Sequence, residues 1–515
     1  MTAIPALLPK VRAGLAGLVI LLVLCCPLAR ATDGDPWKPF DMPWFTQVGI
    51  AEGLPHSVTT AVAQDRSGLM WIGTMGGLVR YDGYRLQVFE ASRPGTAGLP
   101  DVYVRSLLAL SDGSLLIGTN AGGLVRFDPS KNHFHVYKIG VGGLSDRKVY
   151  SLSEDHAGGV WIATERGLDH LDVASGTLTQ IDTGADTAAR NFSVMQDRAG
   201  NVWLGNDDGL FVRHEGSTPF VRQRTTNKAA HSVLADEIWA LREDSEGRIW
   251  AGGVQAGAAY RDTGGHWHGV PGFSGYSDGL HHATVRAFLQ TDDGASWMAT
   301  DGSGLIEYRP GDTGIRQVMH DSAVPSSLPG DSVRALLQDR SGNLWAATDL
   351  GVARTDPNAR TAFSVLPSPL ERHALADSNV NSIFVDSHQR IWLGLGAGHI
   401  DMIDLKAGDM HHLHLTGAQS QRDVRSITEA ADGSLWVGSQ GLAWIDPQTL
   451  AITDVDLPTL DNKPILTMAT DGNQIIIGTY DGVYRYDPIT RVLDHASHVA
   501  NDPNSLGSDT VRQIA

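Results

Sequence analysis

One phrase of about ten residues recurs ten times along this 515-residue chain. Its most complete copy spans residues 339–348 and reads DRSGNLWAAT. The spacing runs from 40 residues, between Trp436 and Ile476, to 48 residues, between Trp297 and Trp345. A repeat of this length is typical of β-propeller blades. The copies align on one large apolar residue, namely Trp71, Leu116, Trp161, Trp203, Trp250, Trp297, Trp345, Trp392, Trp436 and Ile476.

Each repeat contains short runs rich in Val, Ile, Trp and Tyr, separated by Gly, Asp, Asn and Pro. In the seventh repeat the runs cover residues 332–338, 344–347, 351–355 and 361–366. Their lengths suit β-strands, and the DRSG stretch between the first two suits a hairpin turn. Four antiparallel strands form one propeller blade. We therefore predict an all-β fold of tandem β-propellers built from four-stranded blades.

The first strand of the chain indicates how the first ring closes. Residues 44–48 precede the first repeat and resemble the fourth strand of later repeats, such as residues 133–137. A fourth strand at the start completes the blade whose other strands come last, which leaves no open edge. We predict a linker at 32–43, a seven-bladed propeller at 44–360, and the start of a second, truncated propeller at 361–515. An eleventh copy opens near residue 508.

The eight tryptophans of the repeat are predicted to be structural. Trp71, Trp161, Trp203, Trp250, Trp297, Trp345, Trp392 and Trp436 would fill the wedges between neighbouring blades. Both replacements, Leu116 and Ile476, are aliphatic, which fits a packing position. The aspartates that recur before them have a predicted turn role, capping backbone N–H groups. They are Asp65, Asp155, Asp197, Asp244, Asp339 and Asp386.

The N-terminus has the pattern of a secretory signal peptide. Residues 1–31 contain Lys10 and Arg12, then an apolar run, and end at the small-x-small sequence 29–31. An uncleaved membrane anchor is the alternative, although the run is short for a bilayer span. Both cysteines of the chain lie in this segment. The exported chain would have no disulfide, and we expect it to be the periplasmic region of an inner-membrane protein.

Charge and motifs exclude several classes of function. The formal net charge is -18, which argues against nucleic-acid binding because that requires a basic surface. No nucleophile elbow, phosphate-binding loop or zinc spacing occurs, so we predict no catalytic site, no metal site and no cofactor. Four groups of histidines resemble exposed loops or strand faces more than metal ligands. They are His281 with His282, His133 with His135, His266 with His268, and His411, His412 and His414.

The position eleven residues before each repeat tryptophan is the best candidate for ligand recognition. It is predicted to be the second residue of each innermost strand, and innermost strands line the channel of a propeller. Arginines and aromatics there would suit an anionic saccharide or another carboxylate, through bidentate hydrogen bonds and stacking. The alternative is structural, with each arginine paired to an aspartate or to free carbonyls. The candidates are Arg105, Tyr150, Phe192, Trp239, Arg286, Arg334, Asn381 and Arg425, while Thr60, Ile465 and Arg512 occupy the remaining equivalent positions.

The repeats resemble those of the two-component regulator propeller family. The resemblance is carried by residues 53–57 (GLPHS), 64–74 (QDRSGLMWIGT) and 77–83 (GLVRYDG), and it extends over residues 44–515. It implies the periplasmic ligand-sensing region of a bacterial transmembrane receptor. The output module, a diguanylate cyclase or a histidine kinase, would lie beyond residue 515. The full receptor is expected to be a homodimer that contacts the membrane only through its downstream segment. A secreted lyase or glycosidase acting on polysaccharide, and a protein-binding scaffold, remain alternatives.

Overall fold

The computed structural model describes residues 36–37, 40, 43–92, 98–184, 189–217, 219–271, 283–310, 315–322, 324–355, 365–367 and 373–514. Its contacts divide the chain into two compact units. The large unit comprises residues 42–372, and the small unit comprises residues 1–41 and 373–515. The predicted signal peptide lies outside the described residues. None of the helices in the described ranges has the length and apolarity needed to cross a bilayer.

The described part of the large unit contains seven four-stranded sheets and one short helix. Its strands are β1 (Phe45–Val48), β2 (Thr59–Gln64), β3 (Met70–Thr74), β4 (Gly77–Tyr81), β5 (Leu86–Phe89), β6 (Val104–Ala109), β7 (Leu115–Thr119), β8 (Leu124–Asp128), β9 (His133–Val136), β10 (Val149–Glu154), β11 (Gly159–Thr164), β12 (Gly167–Asp172), β13 (Thr177–Ile181), β14 (Asn191–Gln196), β15 (Val202–Asn206), β16 (Gly209–Arg213), β17 (Val221–Arg222), β18 (Ile238–Glu243), β19 (Ile249–Gly253), β20 (Ala258–Arg261), β21 (Trp267–Gly269), β22 (Thr284–Gln290), β23 (Ser296–Asp301), β24 (Leu305–Tyr308), β25 (Arg316–Val318), β26 (Val333–Gln338), β27 (Leu344–Thr348) and β28 (Gly351–Thr355). The helix α1 (Lys228–Leu234) precedes β18.

The seven sheets close into a ring, as the repeat predicts. The innermost strands β2, β6, β10, β14, β18, β22 and β26 contact one another in that order, and β26 contacts β2. We number the blades 1 to 7 by these strands. Strand β1 pairs antiparallel with β28, with Phe45 opposite Thr355 and Val48 opposite Val352, and so completes blade 7. The predicted closure is confirmed. Residues 361–364 of the fourth run predicted for the seventh repeat lie outside the described residues.

The small unit contains three further blades, numbered 8 to 10. Their strands are β29 (Val380–Val385), β30 (Ile391–Leu395), β31 (His399–Asp404), β32 (Asp409–His414), β33 (Ser426–Glu429), β34 (Leu435–Gly438), β35 (Leu442–Ile445), β36 (Ile452–Val455), β37 (Thr467–Asp471), β38 (Gln474–Gly478), β39 (Val483–Asp487) and β40 (Val492–Ala496), with short 3-10 helices at Gly396–Gly398 and Gly417–Gln419. The eleventh copy starts against blade 10, because the Val511 N–H donates to the Thr479 carbonyl at 2.9 Å.

The repeat tryptophans pack between blades, as predicted for a structural role. Trp71, with no exposed surface, lies in a cluster with Leu78 and with Val104 and Ile117 of the following blade. Two positions after the tryptophan the residue is small, and Gly73 shows the reason. A Cβ on Gly73 would lie 2.7 Å from Val104 Cγ1 of the next blade. Close packing between blades 1 and 2 therefore requires glycine at this point.

The recurrent aspartates have the predicted turn role and a second one. Asp65 Oδ1 accepts the backbone N–H groups of Ser67 and Leu69 at 2.9 and 3.1 Å. Its other oxygen, Oδ2, accepts the indole N–H of Trp71 at 2.8 Å. The same bond joins Asp197 to Trp203, Asp244 to Trp250, Asp339 to Trp345 and Asp386 to Trp392 at 2.7–2.9 Å. In these five blades the hairpin turn is thus tied to the core residue of its own blade.

Blade 3 departs from this pattern. His170 Nε2 occupies the equivalent oxygen of Asp155 at 2.7 Å, and its ring lies 4.5 Å from the Trp161 ring. The indole N–H of Trp161 is buried and has no hydrogen-bond acceptor. Burial alone would raise the pKa of Asp155, but the hydrogen bonds from His170 and the turn N–H groups lower it.

Candidate functional site

The candidate site is a ring of seven side chains at the start of the innermost strands of the large unit. In chain order it consists of Thr60, Arg105, Tyr150, Phe192, Trp239, Arg286 and Arg334, and we call it the channel ring. In each of the seven blades the ladder between the first two strands shifts register at this residue, as between Thr59 and Ala61 at Thr60. Such bulges redirect a side chain and occur next to functional sites. The spacing from the tryptophan identified the position, whereas the bulge is visible only in the structure.

Blades 3, 4 and 5 form the aromatic half of the channel ring. The rings of Phe192 and Trp239 are stacked at 4.3 Å with an interplanar angle of 11°. Tyr150 contacts both edge-on, at 5.1 and 5.8 Å. The Arg286 guanidinium lies 4.1 Å from the centre of the Trp239 ring, and the Arg105 guanidinium lies 4.9 Å from that of Tyr150. Five ring residues on consecutive blades therefore contact one another in sequence, from Arg105 to Arg286.

Arg286 is held by an ion pair on its own blade. Its Nη2 lies 2.6 Å from Asp301 Oδ2, and the other oxygen of Asp301 accepts the Ser332 hydroxyl of blade 7. Burial alone would raise the pKa of Asp301, but the bonds from Ser332 and Arg286 and the charges of Arg286 and Arg334 lower it. Asp301 is therefore ionised at neutral pH. Arg286 therefore fits the structural alternative, in which an arginine of the ring pairs with an aspartate.

The other two arginines of the channel ring have no carboxylate partner within contact distance. Arg105 Nε donates to the neutral amide oxygen of Asn120 at 2.8 Å. Arg334 Nε is buried and has no hydrogen-bond partner, and Arg334 forms no ion pair among the described residues. Arg334 as a whole is half-buried, and the Nε of Arg286 is likewise buried without a hydrogen-bond partner. These two arginines flank Thr60 of blade 1.

Charged pairs surround the aromatic half. Lys148 Nζ lies 2.6 Å from Glu165, and Arg190 lies 3.2 Å from Asp207 and 3.3 Å from Glu237. Lys148, Arg190 and Glu237 lie two residues before Tyr150, Phe192 and Trp239 respectively. Glu237 also accepts the indole N–H of Trp239 at 3.2 Å. Burial raises the pKa of Tyr150, so its hydroxyl stays protonated at neutral pH.

Sequence reasoning missed the partners, although the repeat could have located them. Four of these partners lie four residues after the residue that aligns with the repeat tryptophan in their blade. They are Asn120, Glu165, Asp207 and Asp301. In blade 7 that position is Asp349, which forms no ion pair with Arg334 and has one buried oxygen, Oδ1, without a hydrogen-bond partner. In blade 1 it is Met75, which carries no charge. In blades 1 and 7 the acidic partner is therefore absent or forms no ion pair with the ring residue.

The candidates in the small unit do not join a ring of this kind. Asn381 is at a bulge in β29 but is exposed, and Arg425 precedes β33, with 40% of its side chain exposed. Arg425 lies 3.6 Å from Asp423. Ile465 is fully buried and precedes β37. The described part of the small unit forms three blades, and the role predicted for Asn381 and Arg425 in ligand recognition stays a prediction.

The histidines contribute no metal site to the described part of the chain. No group of three or more His, Cys, Asp or Glu side chains there is arranged to hold a metal ion. His133 and His135 are exposed on the outer strand β9, as predicted. His412 is on outer strand β32, where it bonds the buried Asp401 at 2.7 Å and so has a structural role. His281 and His282 lie outside the described residues.

Three stretches of the chain match a known protein family in sequence. Residues 53–76, 143–166 and 327–349 match the family described as two component regulator propeller. No curated protein matches the chain in sequence. Each matched stretch contains one copy, or most of one copy, of the repeat phrase. All three stretches lie in the large unit, where the seven blades close.

Two solved structures share the fold. The extracellular domain of the hybrid two-component system BT3049 from B. thetaiotaomicron is 19% identical, with a TM-score of 0.67 over 91% of this chain. The chain spans 62% of the length of that domain. The extracellular domain of the one-component system BT4673 from the same organism is 16% identical, with a TM-score of 0.52 over 89% of this chain and 79% of its own. The chain therefore matches the two component regulator propeller family in three of its repeats, and it shares the fold of these two extracellular domains.

Proposed function

We propose that this chain is the exported, ligand-binding sensor region of a bacterial transmembrane receptor, and that the channel ring binds the ligand. The observation that carries the proposal is the bulge at the ring residue in all seven blades of the large unit. A packing role alone does not require a strand irregularity at the same point of every blade. Together the bulges place charged and aromatic side chains at the start of the channel-lining strands.

The receptor part of the proposal rests on the family and on the fold. The two similar structures are extracellular domains of signalling systems. We propose a periplasmic location, a homodimeric full receptor, and a cytoplasmic output module that is a diguanylate cyclase or a histidine kinase. Ligand binding changes the output only if the ligand favours one of two receptor arrangements over the other.

Tryptophan fluorescence tests the location of the site. Trp239 lies in the channel ring, so a ligand bound there changes its emission. We expect a panel of glucose, glucuronate and glucose 6-sulfate to contain a sugar that changes the emission of the wild type. Trp239→Phe, which keeps an aromatic ring against Phe192, should lose that change. The matched control is Trp44→Phe, because Trp44 is 52% exposed and outside the ring. A response that persists in Trp239→Phe, or no response to any sugar, contradicts the proposal.

The receptor architecture has a separate test in the gene. Continuing the reading frame beyond the codon for Ala515 should reveal further blades, a transmembrane segment and kinase or cyclase motifs. A stop codon directly after a completed second ring would contradict the receptor and leave a secreted protein.

A further inference from the structure

We propose that the chain has a second binding site, for a neutral, hydroxyl-rich molecule of the sugar or polyol class, in a cavity between blades 2 and 3. The cavity has a volume of about 680 Å³, which is within the range of small-molecule pockets. It is separate from the channel ring, because its turn residues Asp112 and Ser114 follow the end of β6, whereas the ring residue Arg105 is near the start of that strand. This site is independent of the function proposed for the ring.

The cavity lies where blade 2 departs from the repeat. Blade 2 has Leu116 in place of the repeat tryptophan that the other six blades of the large unit carry. It also has Leu110 in place of the aspartate that bonds the indole in blade 1. Leu116 is buried and packs toward blade 3, in a cluster with Val160 and Ile162. A leucine side chain fills less of the wedge between two blades than an indole ring does.

Blade 9 shows where the missing indole would lie. Its hairpin turn has the same Asp-Gly-Ser sequence as that of blade 2, and each serine hydroxyl donates to the aspartate of its own turn at 2.6 Å, Ser434 to Asp432 and Ser114 to Asp112. In blade 9 the indole N–H of Trp436 donates to the Ser434 hydroxyl at 3.0 Å. The equivalent serine of blade 2, Ser114, lines the cavity. The cavity therefore lies beside the turn at the place that blade 9 fills with tryptophan.

The carboxylates of the cavity are paired with cations of the same blade. Arg126 forms an ion pair with Asp112 and donates its Nε–H to the Ser114 hydroxyl at 3.1 Å. Lys131 Nζ lies 2.8 Å from Asp128 Oδ2. An ionic ligand would have to compete with these pairs and would lose its own hydration on entering the cavity. A neutral ligand avoids both costs.

Two imidazoles remain available to a ligand. His133 and His135 lie opposite Asp128 and Arg126 across the β8–β9 ladder, so these four side chains project from one face of the blade. Both histidines line the cavity, are exposed and form no hydrogen bond with any described residue. Tyr137 continues the row, and its ring contacts that of His135 edge-on at 4.9 Å.

The lining therefore offers several kinds of hydrogen-bonding group in one cavity. Each imidazole has a ring nitrogen that donates and one that accepts, a carboxylate oxygen accepts, and a guanidinium donates. A hydroxyl group both donates and accepts, so a molecule with several hydroxyl groups matches this mixture. The imidazole and phenol rings add apolar surface for the carbon skeleton of such a molecule.

The experiment is isothermal titration of the whole chain with four neutral probes, D-glucose, maltose, sorbitol and myo-inositol, and with D-glucuronate as the charged comparison. We expect at least one neutral probe to bind, and to bind more tightly than glucuronate. Binding of glucose or maltose alone identifies a sugar site, whereas binding of sorbitol or myo-inositol identifies a polyol site. No binding of any neutral probe, or tighter binding of glucuronate, overturns the proposal.

His135→Ala should weaken binding of the neutral probe at least about fivefold, because a hydrogen bond to the ligand is lost. It should leave the thermal midpoint unchanged, because His135 is exposed. The matched control is Gln87→Ala, which should leave binding unchanged. Gln87 is exposed at the equivalent outer-strand position of blade 1, where Trp71 fills the wedge. Equal affinities of His135→Ala and the wild type overturn the proposal.

Leu116→Trp tests the origin of the cavity. It introduces an indole next to Ser114, as in blade 9, and should abolish binding of the neutral probe. Binding that persists in the folded variant overturns the proposal, and if the variant does not fold, His135→Ala decides the question. Trp239→Phe should leave binding of the neutral probe unchanged, because Trp239 belongs to the channel ring. Binding that is lost in Trp239→Phe and kept in His135→Ala assigns the probe to the ring and overturns the second site.

Discussion

Asp169 offers a quantitative test of the energetics of this fold. It lies in β12 of blade 3 with no exposed surface, and burial raises its pKa from 3.8 to about 6. Its two oxygens accept the N–H and the hydroxyl of Ser145 at 3.0 and 2.6 Å, and these bonds oppose the rise, whereas the nearby charge of Asp146 adds to it. Asp169 therefore fixes the segment before innermost strand β10, but burying its charged form lowers the free energy of unfolding.

The sign of the pH effect follows from the direction of the shift. An unfolded aspartate loses its proton near pH 4, whereas folded Asp169 keeps it to about pH 6. Between these values the folded state binds more protons, so the free energy of unfolding falls as the pH rises. The full difference corresponds to about 3 kcal/mol. This stability is present below pH 4 and is lost by about pH 6.

Asp169→Asn is the perturbation. The amide has the same shape, and its Oδ1 and Nδ2 replace the two oxygens, with the Ser145 hydroxyl now accepting a hydrogen bond. We expect the variant to be more stable than the wild type by about 1–3 kcal/mol at pH 7, and equal to it within about 0.5 kcal/mol at pH 4. Urea unfolding followed by tryptophan fluorescence at several pH values measures the difference. Parallel pH profiles for the two proteins would refute the reasoning.

Two further predictions compare residues at matched positions. Trp71→Phe should lower the free energy of unfolding in urea by about 2 kcal/mol more than Trp161→Phe, because only Trp71 donates its indole N–H to a buried carboxylate, that of Asp65. Equal losses in the two variants would show that this hydrogen bond adds nothing to the stability that packing provides. Phe45→Ala should lower the free energy of unfolding in urea by about 3–5 kcal/mol, because Phe45 is buried in the strand that closes blade 7. Trp44→Ala should lower it by less than about 1 kcal/mol, because Trp44 is exposed. Similar losses in the two variants would contradict closure by this strand.

Particular residues show how far the sequence leads. The ring position was found from its spacing, and in blades 1 to 5 and 7 it is the second residue of the innermost strand, as predicted. The sequence left open whether the arginines pair with protein groups or await a ligand. The structure separates them, since Arg286 forms an ion pair with Asp301, whereas Arg334 forms none among the described residues. Spacing alone cannot distinguish these cases, because a pair depends on where side chains point after a bulge.

Local repetition and tertiary closure therefore determine different properties of this protein. The sequence by itself determined the blade, its turns and its packing tryptophans, because each depends on interactions within one repeat or between successive repeats. It also indicated the strand that closes the ring, because residues 44–48 resemble the fourth strand of later repeats. Only the tertiary structure decided which equivalent positions form a site. Seven blades bring their first strands together around one channel, and there the arginines, the aromatic side chains and Thr60 become neighbours through closure rather than through sequence.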